Sequence, residues 1–178
     1  MAPWLEERLF DRRIVLLQGP LTSPLASRTA AALLTLDAVG PDPIELHMRC
    51  PDGELDAVFA IVDALDLMQA PVRALATAEI AGGAVGVYAV APERRAFPHA
   101  RFRLAEPRAA GLAGTADDVA HAAGQHLRAL DDLIERIAAA TGQPRSRVEN
   151  DLAKGRTLDA EEAKEYGLVH EIVEPKKH

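Results

Sequence analysis

Cysteine is nearly absent from this chain: Cys50 is the only one in 178 residues. A lone cysteine excludes an intrachain disulfide and supplies no cysteine-based metal cluster. Long apolar runs are missing too. No uninterrupted stretch approaches the roughly 18 residues needed to cross a bilayer. Trp4-Leu5-Glu6-Glu7-Arg8 is charged where the apolar core of a signal peptide would sit. Positive charge is in deficit, with 20 Lys and Arg against 27 Asp and Glu for a net charge of −7. That balance argues against nucleic acid or an anionic membrane as a partner, since both demand a basic face. Internal repeats and linkers are lacking as well, and only Pro175 to His178 reads as a free tail. What is present, 48% hydrophobic and 26% charged residues, is the composition of a soluble globular protein. It is read as one cytoplasmic domain spanning residues 1–178, with no metal and no cofactor expected.

Hydrophobic periodicity then orders the chain. Leu5 to Arg13 reads as a helix, Ile14-Val15-Leu16-Leu17 as a buried strand, and Arg28 to Val39 as a helix that Ser23 or Ser27 could cap. Ile44 to Arg49 alternates as a strand and runs into Cys50-Pro51-Asp52-Gly53. Leu55 to Met68 repeats apolar residues at helical spacing, and Val72 to Thr77 is the next strand. Ala81-Gly82-Gly83 then forms a tight small-residue elbow into Ala84 to Val90, which is apolar on every side and reads as a helix buried in the core. Pro92-Glu93-Arg94-Arg95 reads as a solvated turn, Arg101 to Leu104 as a strand, and Ala109 to Gly114 as either a loop or a weak edge strand. A long helix follows from Ala116 to Ala140, with Val119, Leu127, Leu130, Leu133, Ile134 and Ile137 as its apolar positions. Ser146 to Ala153, Asp159 to Tyr166 (capped by Asp159) and a strand at Val169 to Val173 complete the chain. Strands alternating with helices predict an α/β fold with a largely parallel sheet, whose ligands belong at the carboxyl ends of its strands. The loops at Gly53 and at Gly82-Gly83 both fall there.

Several stretches match one family in order and spacing: Leu16-Leu17-Gln18-Gly19-Pro20, Cys50-Pro51-Asp52-Gly53 (in the place of S-P-G-G), Thr141-Gly142-Gln143 and Ala160-Glu161-Glu162-Ala163-Lys164-Glu165-Tyr166-Gly167-Leu168-Val169. Through these the chain resembles ClpP, the proteolytic subunit of the ATP-dependent Clp protease, from about Leu5 to Val173. The resemblance implies the ClpP/crotonase-like spiral of ββα units with a protruding handle helix, here about residues 116–140. It also implies a Ser-His-Asp peptidase, and there the sequence departs.

The family's nucleophile sits in G-Q-A-A-S-M-G-A; aligned from either side, this chain offers Ala81 or Gly82 at the serine. Its histidine lies in R-x-x-x-H-Q-P, which here reads Arg101-Phe102-Arg103-Leu104-Ala105-Glu106-Pro107, leaving Ala105 at the base position. Its aspartate precedes R-F-L-S-A, and Gly155 precedes the corresponding Arg156-Thr157-Leu158-Asp159-Ala160. The chain's serines are Ser23, Ser27 and Ser146, and none is expected to reach the elbow. A methyl group or a hydrogen cannot form an acyl-enzyme, and loss of the nucleophile alone costs about 10⁶ in turnover. The resemblance leaves Gly53, with Gly82 or Gly83, as the remnant of an oxyanion hole. Asp52 brings a like charge to it and adds a Cβ to a turn that could require positive φ. Cys50 reads as structural, with His47 on the opposite face of its strand. His99, Glu106 and Glu79 near the vacant positions, and His121 and His126 on the long helix, read as exposed or subunit-facing side chains.

The implied assembly is a ring that self-associates as a heptamer or a stacked tetradecamer. The handle pairs the rings, and an active ClpP paralogue is an expected partner. Lys154-Gly155 replaces an arginine–aspartate pair that helps lock stacked rings, so stacking is expected to be weaker than ring formation. The first helix begins only a few residues into the sequence, so the family's axial hairpin is either lost or trimmed from it, and without that hairpin coupling to an AAA+ unfoldase is not expected. The sequence reading is therefore a non-catalytic ClpP-like subunit. Two alternatives stay open: a crotonase-like acyl-thioester enzyme using a two-amide hole, and a peptide-binding module that does not cut.

Overall fold

Alternate apolar residues build the sheet. The computed structural model describes residues 2–109 and 111–174; Pro175 to His178, read as a tail, lie outside them. β1 (Ile14–Gln18) buries Val15 and Leu17, and β2 (Ile44–Cys50) buries Ile44, Leu46, Met48 and Cys50. β3 (Val72–Ala81) is the longest strand and extends four residues beyond the expected Thr77. Its first half pairs with β4 (Glu93–Ala96) and its last three residues pair with β5 (Arg101–Leu104). β6 (Arg156–Asp159) lies on β5, and β7 (Glu171–Ile172) lies on β4. Every pairing is parallel except β5 with β6. The largely parallel α/β sheet read from the sequence is thus present.

The helices are α1 (Pro3–Asp11), α2 (Ser23–Val39), α3 (Leu55–Leu67), α4 (Ala84–Val90), α5 (Ala116–Thr141), α6 (Arg145–Lys154) and α7 (Ala160–Tyr166). α3 places Val58, Ile61 and Val62 in the core at i, i+3 and i+4. Each such side chain contributes about 1.5–3 kcal/mol by leaving water. α4 is buried all round, from Ala84 through Ala89. Its Gly86 lets α5 approach: a Cβ there would fall 2.2 Å from Leu133 Cδ1. α5 consequently has two halves. Leu133, Ile134, Ile137 and Ala138 are buried against the body, whereas no residue from Ala116 to Leu130 is. The protruding handle starts on a Thr115–Asp118 capping box and ends at Gly142 in the left-handed region.

Three local expectations are corrected and one choice is resolved. Leu127, expected on the apolar side of the long helix, is 64% exposed, because it lies on the handle half of α5, where no residue is buried. Of the two readings of residues 109–114, the loop holds, since no strand is present among their described positions. α2 starts at Ser23 itself, with Thr22 as the N-cap residue and no side-chain cap bond, so neither Ser23 nor Ser27 caps it. The expected turn at Pro92 to Arg95 contains β4, and its Arg94 is buried rather than solvated.

Arg94 explains why two of the matching motifs lie together. Its guanidinium donates to the carbonyls of Ala89 and Ala91 at the end of α4, Ala140 at the end of α5, and Gly167 and Leu168 just past α7. C-terminal helix carbonyls lack intrahelical partners and carry partial negative charge, so one cation satisfies three helix ends. Gln143 Nε2 adds a bond to Tyr166 O at 2.9 Å. Gly167 (φ +90°) has no room for a side chain, since a Cβ would meet Thr141 O at 2.3 Å. The Thr141-Gly142-Gln143 and Tyr166-Gly167-Leu168 stretches are therefore two sides of one contact.

Candidate active-site elbow

β3 ends at Ala81, Gly82 takes φ +58°, and α4 begins at Ala84, so the chain reverses over two glycines. The Cys50-Pro51-Asp52-Gly53 loop, at the end of β2, lies directly against this elbow. A Cβ on Gly53 would stand 2.8 Å from Ala84 N, and one on Gly83 would stand 2.6 Å from Gly53 O. Two backbones meet there, and only glycine permits the approach. A third segment fixes the loop: Leu21 N–H donates to Asp52 O and Glu54 N–H to Leu21 O, each at 3.0 Å. Gly19 N–H donates to Arg49 O at 2.9 Å.

The positions read as triad remnants lie far apart in sequence, yet the sheet brings them to one place. Ala81 pairs with Arg103 in parallel register, and Gly82 N–H donates to Arg103 O at 3.1 Å. Antiparallel pairing sets Leu104 opposite Arg156, and Ala105 and Gly155 are the residues that flank this last pair. Gly155 is left-handed at φ +67° and lies close to the Arg103 guanidinium, whose Nη2 would be 3.8 Å from a Cβ placed there. The end of β5 is thus flanked by the elbow on one side and by Gly155 on the other. Ala81, Gly82 and Gly83 are buried, and Ala105 is half-buried.

The other candidate side chains among the described residues are placed as follows. Ser23 and Ser27 are exposed on α2, and Ser146 is exposed on α6. Cys50 is fully buried, its thiol donates to Leu17 O at 3.4 Å, and burial pushes its pKa up to about 12, so it is held as a neutral thiol. His47 is on the opposite face of β2 from Cys50, half-buried beside Glu45 and Arg95, with its pKa lowered chiefly by burial. Glu79, His99, Glu106 and His121 are exposed. His126 lines a cavity of about 150 Å³ together with Glu54, Leu55, Asp56, Arg108 and Gln125. Asp151 lies one turn before Gly155 and is 6% exposed, but it is committed elsewhere. Tyr166 Oη donates to it at 3.0 Å, Arg156 Nη1 at 3.3 Å, and Arg147 Nε is 3.9 Å away. Burial, then the bond to Asp151, pushes the Tyr166 pKa up.

Two site features escaped the sequence reading. Arg94 looks like half of a charged turn because Glu93-Arg94-Arg95-Ala96 shows no apolar alternation; its burial depends on carbonyls contributed from distant segments. The second is the position of the Asp52 carboxylate. The sequence indicates a charge near the hole, whereas the structure shows Gly53 N–H donating to Asp52 Oδ1 at 2.8 Å. The concern that Asp52 occupies a positive-φ turn is not met, because Arg13 is the only non-glycine residue with positive φ among those described. Among the described residues, no helix is long and apolar enough to cross a membrane, and no cluster of three or more His, Cys, Asp or Glu could hold a metal ion.

A glycine elbow after a long parallel strand, a second glycine loop packed on it, and a protruding handle define the class: an α/β subunit of the Clp proteolytic type. Comparison with known proteins agrees. Residues 4–176 match the Clp protease family, and the chain belongs to it. It is 31% identical over 170 residues to the ATP-dependent Clp protease proteolytic subunit 3 of Rhizobium johnstonii, covering 94% of this chain and 87% of that protein. It is 34% identical over 180 residues to proteolytic subunit 1 of Frankia casuarinae, covering 97% and 84%. Among solved structures, a point mutant of ClpP1 from Listeria monocytogenes superposes with a TM-score of 0.84 at 28% identity, covering 97% of both chains.

Proposed function

We propose that this chain is a ClpP-type subunit that does not cleave peptide bonds and serves as a structural or regulatory member of a ring. The observation that carries the reading is the convergence at the end of β5. The elbow, Ala105 and Gly155 lie at neighbouring strand ends, which supports reading them as the nucleophile, base and acid positions, and none of them bears a hydroxyl, imidazole or carboxylate. The choice of alignment at the elbow does not alter this. Ala81, Gly82, Gly83 and Ala84 are all without a hydroxyl or thiol. Without one, no acyl-enzyme forms, and a base and acid would have nothing to activate. Gly53, with Gly82 or Gly83, is the remnant of the oxyanion hole in this reading. Self-association into a heptameric ring, with an active paralogue as co-subunit, fits the exposed half of α5.

The experiment is labelling of the purified protein with a fluorescent fluorophosphonate, alongside hydrolysis of fluorogenic peptides. No labelling and no turnover above a contaminant control is expected. Stoichiometric labelling, or turnover that follows the protein through purification, would overturn the reading. Native mass measurement, alone and after co-expression with a ClpP paralogue, tests the ring assignment.

A further inference from the structure

We propose that Asp52 is an internal occupant of the carbonyl site at the oxyanion-hole remnant, and that it keeps an extended peptide from seating its backbone beside Gly53. The inference rests on the reading above of Gly53 N–H as the surviving oxyanion donor. That donor is already used, since it gives its proton to Asp52 Oδ1 at 2.8 Å. The same oxygen lies over the elbow, 2.9 Å from where a Cβ on Gly82 would be. Gly82, having none, leaves the carboxylate its place. The competition is unequal in two ways. A carboxylate accepts a stronger, charge-assisted bond than a neutral peptide carbonyl does. It is also tethered one residue from its donor, and so avoids the entropy loss that an incoming peptide must bear.

What is blocked is the place for a carbonyl oxygen, not the space for a side chain. The cavity of about 150 Å³ begins at Glu54, the next residue along, and is faced across by Arg108, Gln125 and His126. Asp52 does not line it. Removing the carboxylate therefore opens the carbonyl site while leaving the neighbouring cavity as it is. Asp52 has no positive φ, so alanine fits its backbone without strain.

The test is fluorescence polarisation with fluorescein-labelled casein, an unfolded polypeptide, on the full chain and its Asp52→Ala and Asp52→Asn variants. Asp52→Ala is expected to bind casein at least about tenfold more tightly than the parent. Asp52→Asn keeps a tethered amide oxygen able to accept from Gly53 N–H but loses the charge assistance, so its gain is expected to be smaller, about threefold over the parent. Hydrogen exchange at the Gly53 amide should be slow in the parent and in Asp52→Asn, and faster in Asp52→Ala. Asp52→Gly, with at least the gain of Asp52→Ala, guards against a perturbed loop. The proposal is overturned if neither Asp52→Ala nor Asp52→Gly gains affinity. It is equally overturned if Asp52→Asn gains as much as they do, since charge rather than occupancy would then be the cause. Fluorophosphonate labelling of the parent would defeat the non-cleaving reading without bearing on these ratios.

Discussion

The Arg94 junction and the glycine elbow are built from the same material, main-chain polar groups brought close together, and they use it in opposite ways. At the junction, one long side chain reaches carbonyls from three helix ends. At the elbow, two loops meet through glycines, and the Asp52 carboxylate is the polar side chain set between them. The junction holds the architecture, and its polar groups find their partners within the chain. The elbow keeps the shape of a reactive turn and, in the function proposed above, lacks the groups that react. A fold and its chemistry rest on separable sets of residues, and the proposed function has this chain keeping the first without the second.

The largest effect is expected from breaking the junction. Arg94→Ala strands several buried carbonyls and should cost about 3–5 kcal/mol. Arg94→Lys recovers only part of this, because a compact ammonium cannot span the same acceptors. Urea denaturation at one fixed protomer concentration measures both, since association would otherwise shift the midpoint. A midpoint for Arg94→Ala within error of the parent would show that the junction is dispensable.

A smaller loss is expected at the elbow. Gly83→Ala places a methyl 2.6 Å from Gly53 O and 2.9 Å from Val58 Cγ2, and backbone on one side cannot yield as a side chain would. The cost should be about 1–3 kcal/mol by the same denaturation. If Gly83→Ala proved neutral, the contact between the two loops would be looser than these distances imply.

These two regions also differ in how far the sequence reveals them. The elbow is legible because glycine pairs after an apolar strand have few uses, and the spacing to Gly53 follows from strand alternation. The handle is legible to within a residue at its end, since its terminal Gly142 is a local signal. The junction is not. Nothing in Glu93-Arg94-Arg95-Ala96 indicates that carbonyls from 46 and 74 residues away will surround one arginine. Leu127 fails for the converse reason, because a helical period identifies a stripe but not where its partner stops. The Asp52 contact lies between these cases: its charge can be read, and its reach to the next amide cannot.

The smallest expected effect comes from acid. His170 accepts the Arg94 backbone N–H at Nδ1, 3.2 Å away, and its pKa is lowered first by burial and then by the Arg94 charge. His47 is lowered chiefly by burial. Each imidazole is neutral in the folded chain at pH values where the unfolded chain, titrating near 6.5, already takes up a proton. Their contribution to stability is therefore complete above about pH 6.5 and is lost as pH falls toward the lowered folded value. His170→Gln and His47→Gln should each flatten the decline in denaturation midpoint between about pH 7.5 and 5.5. A slope unchanged in both would remove the histidines from the account.

The Arg94 clasp has one further consequence. Its guanidinium is bonded to carbonyl oxygens alone, with no carboxylate among its acceptors. A salt bridge fails when its acid is protonated, and an exposed one is weakened by dissolved ions. Main-chain carbonyls do not titrate, and burial shields this site from ions. The three helix ends are therefore fastened by a tie that neither mild acid nor brine can undo, and only loss of the surrounding packing releases it.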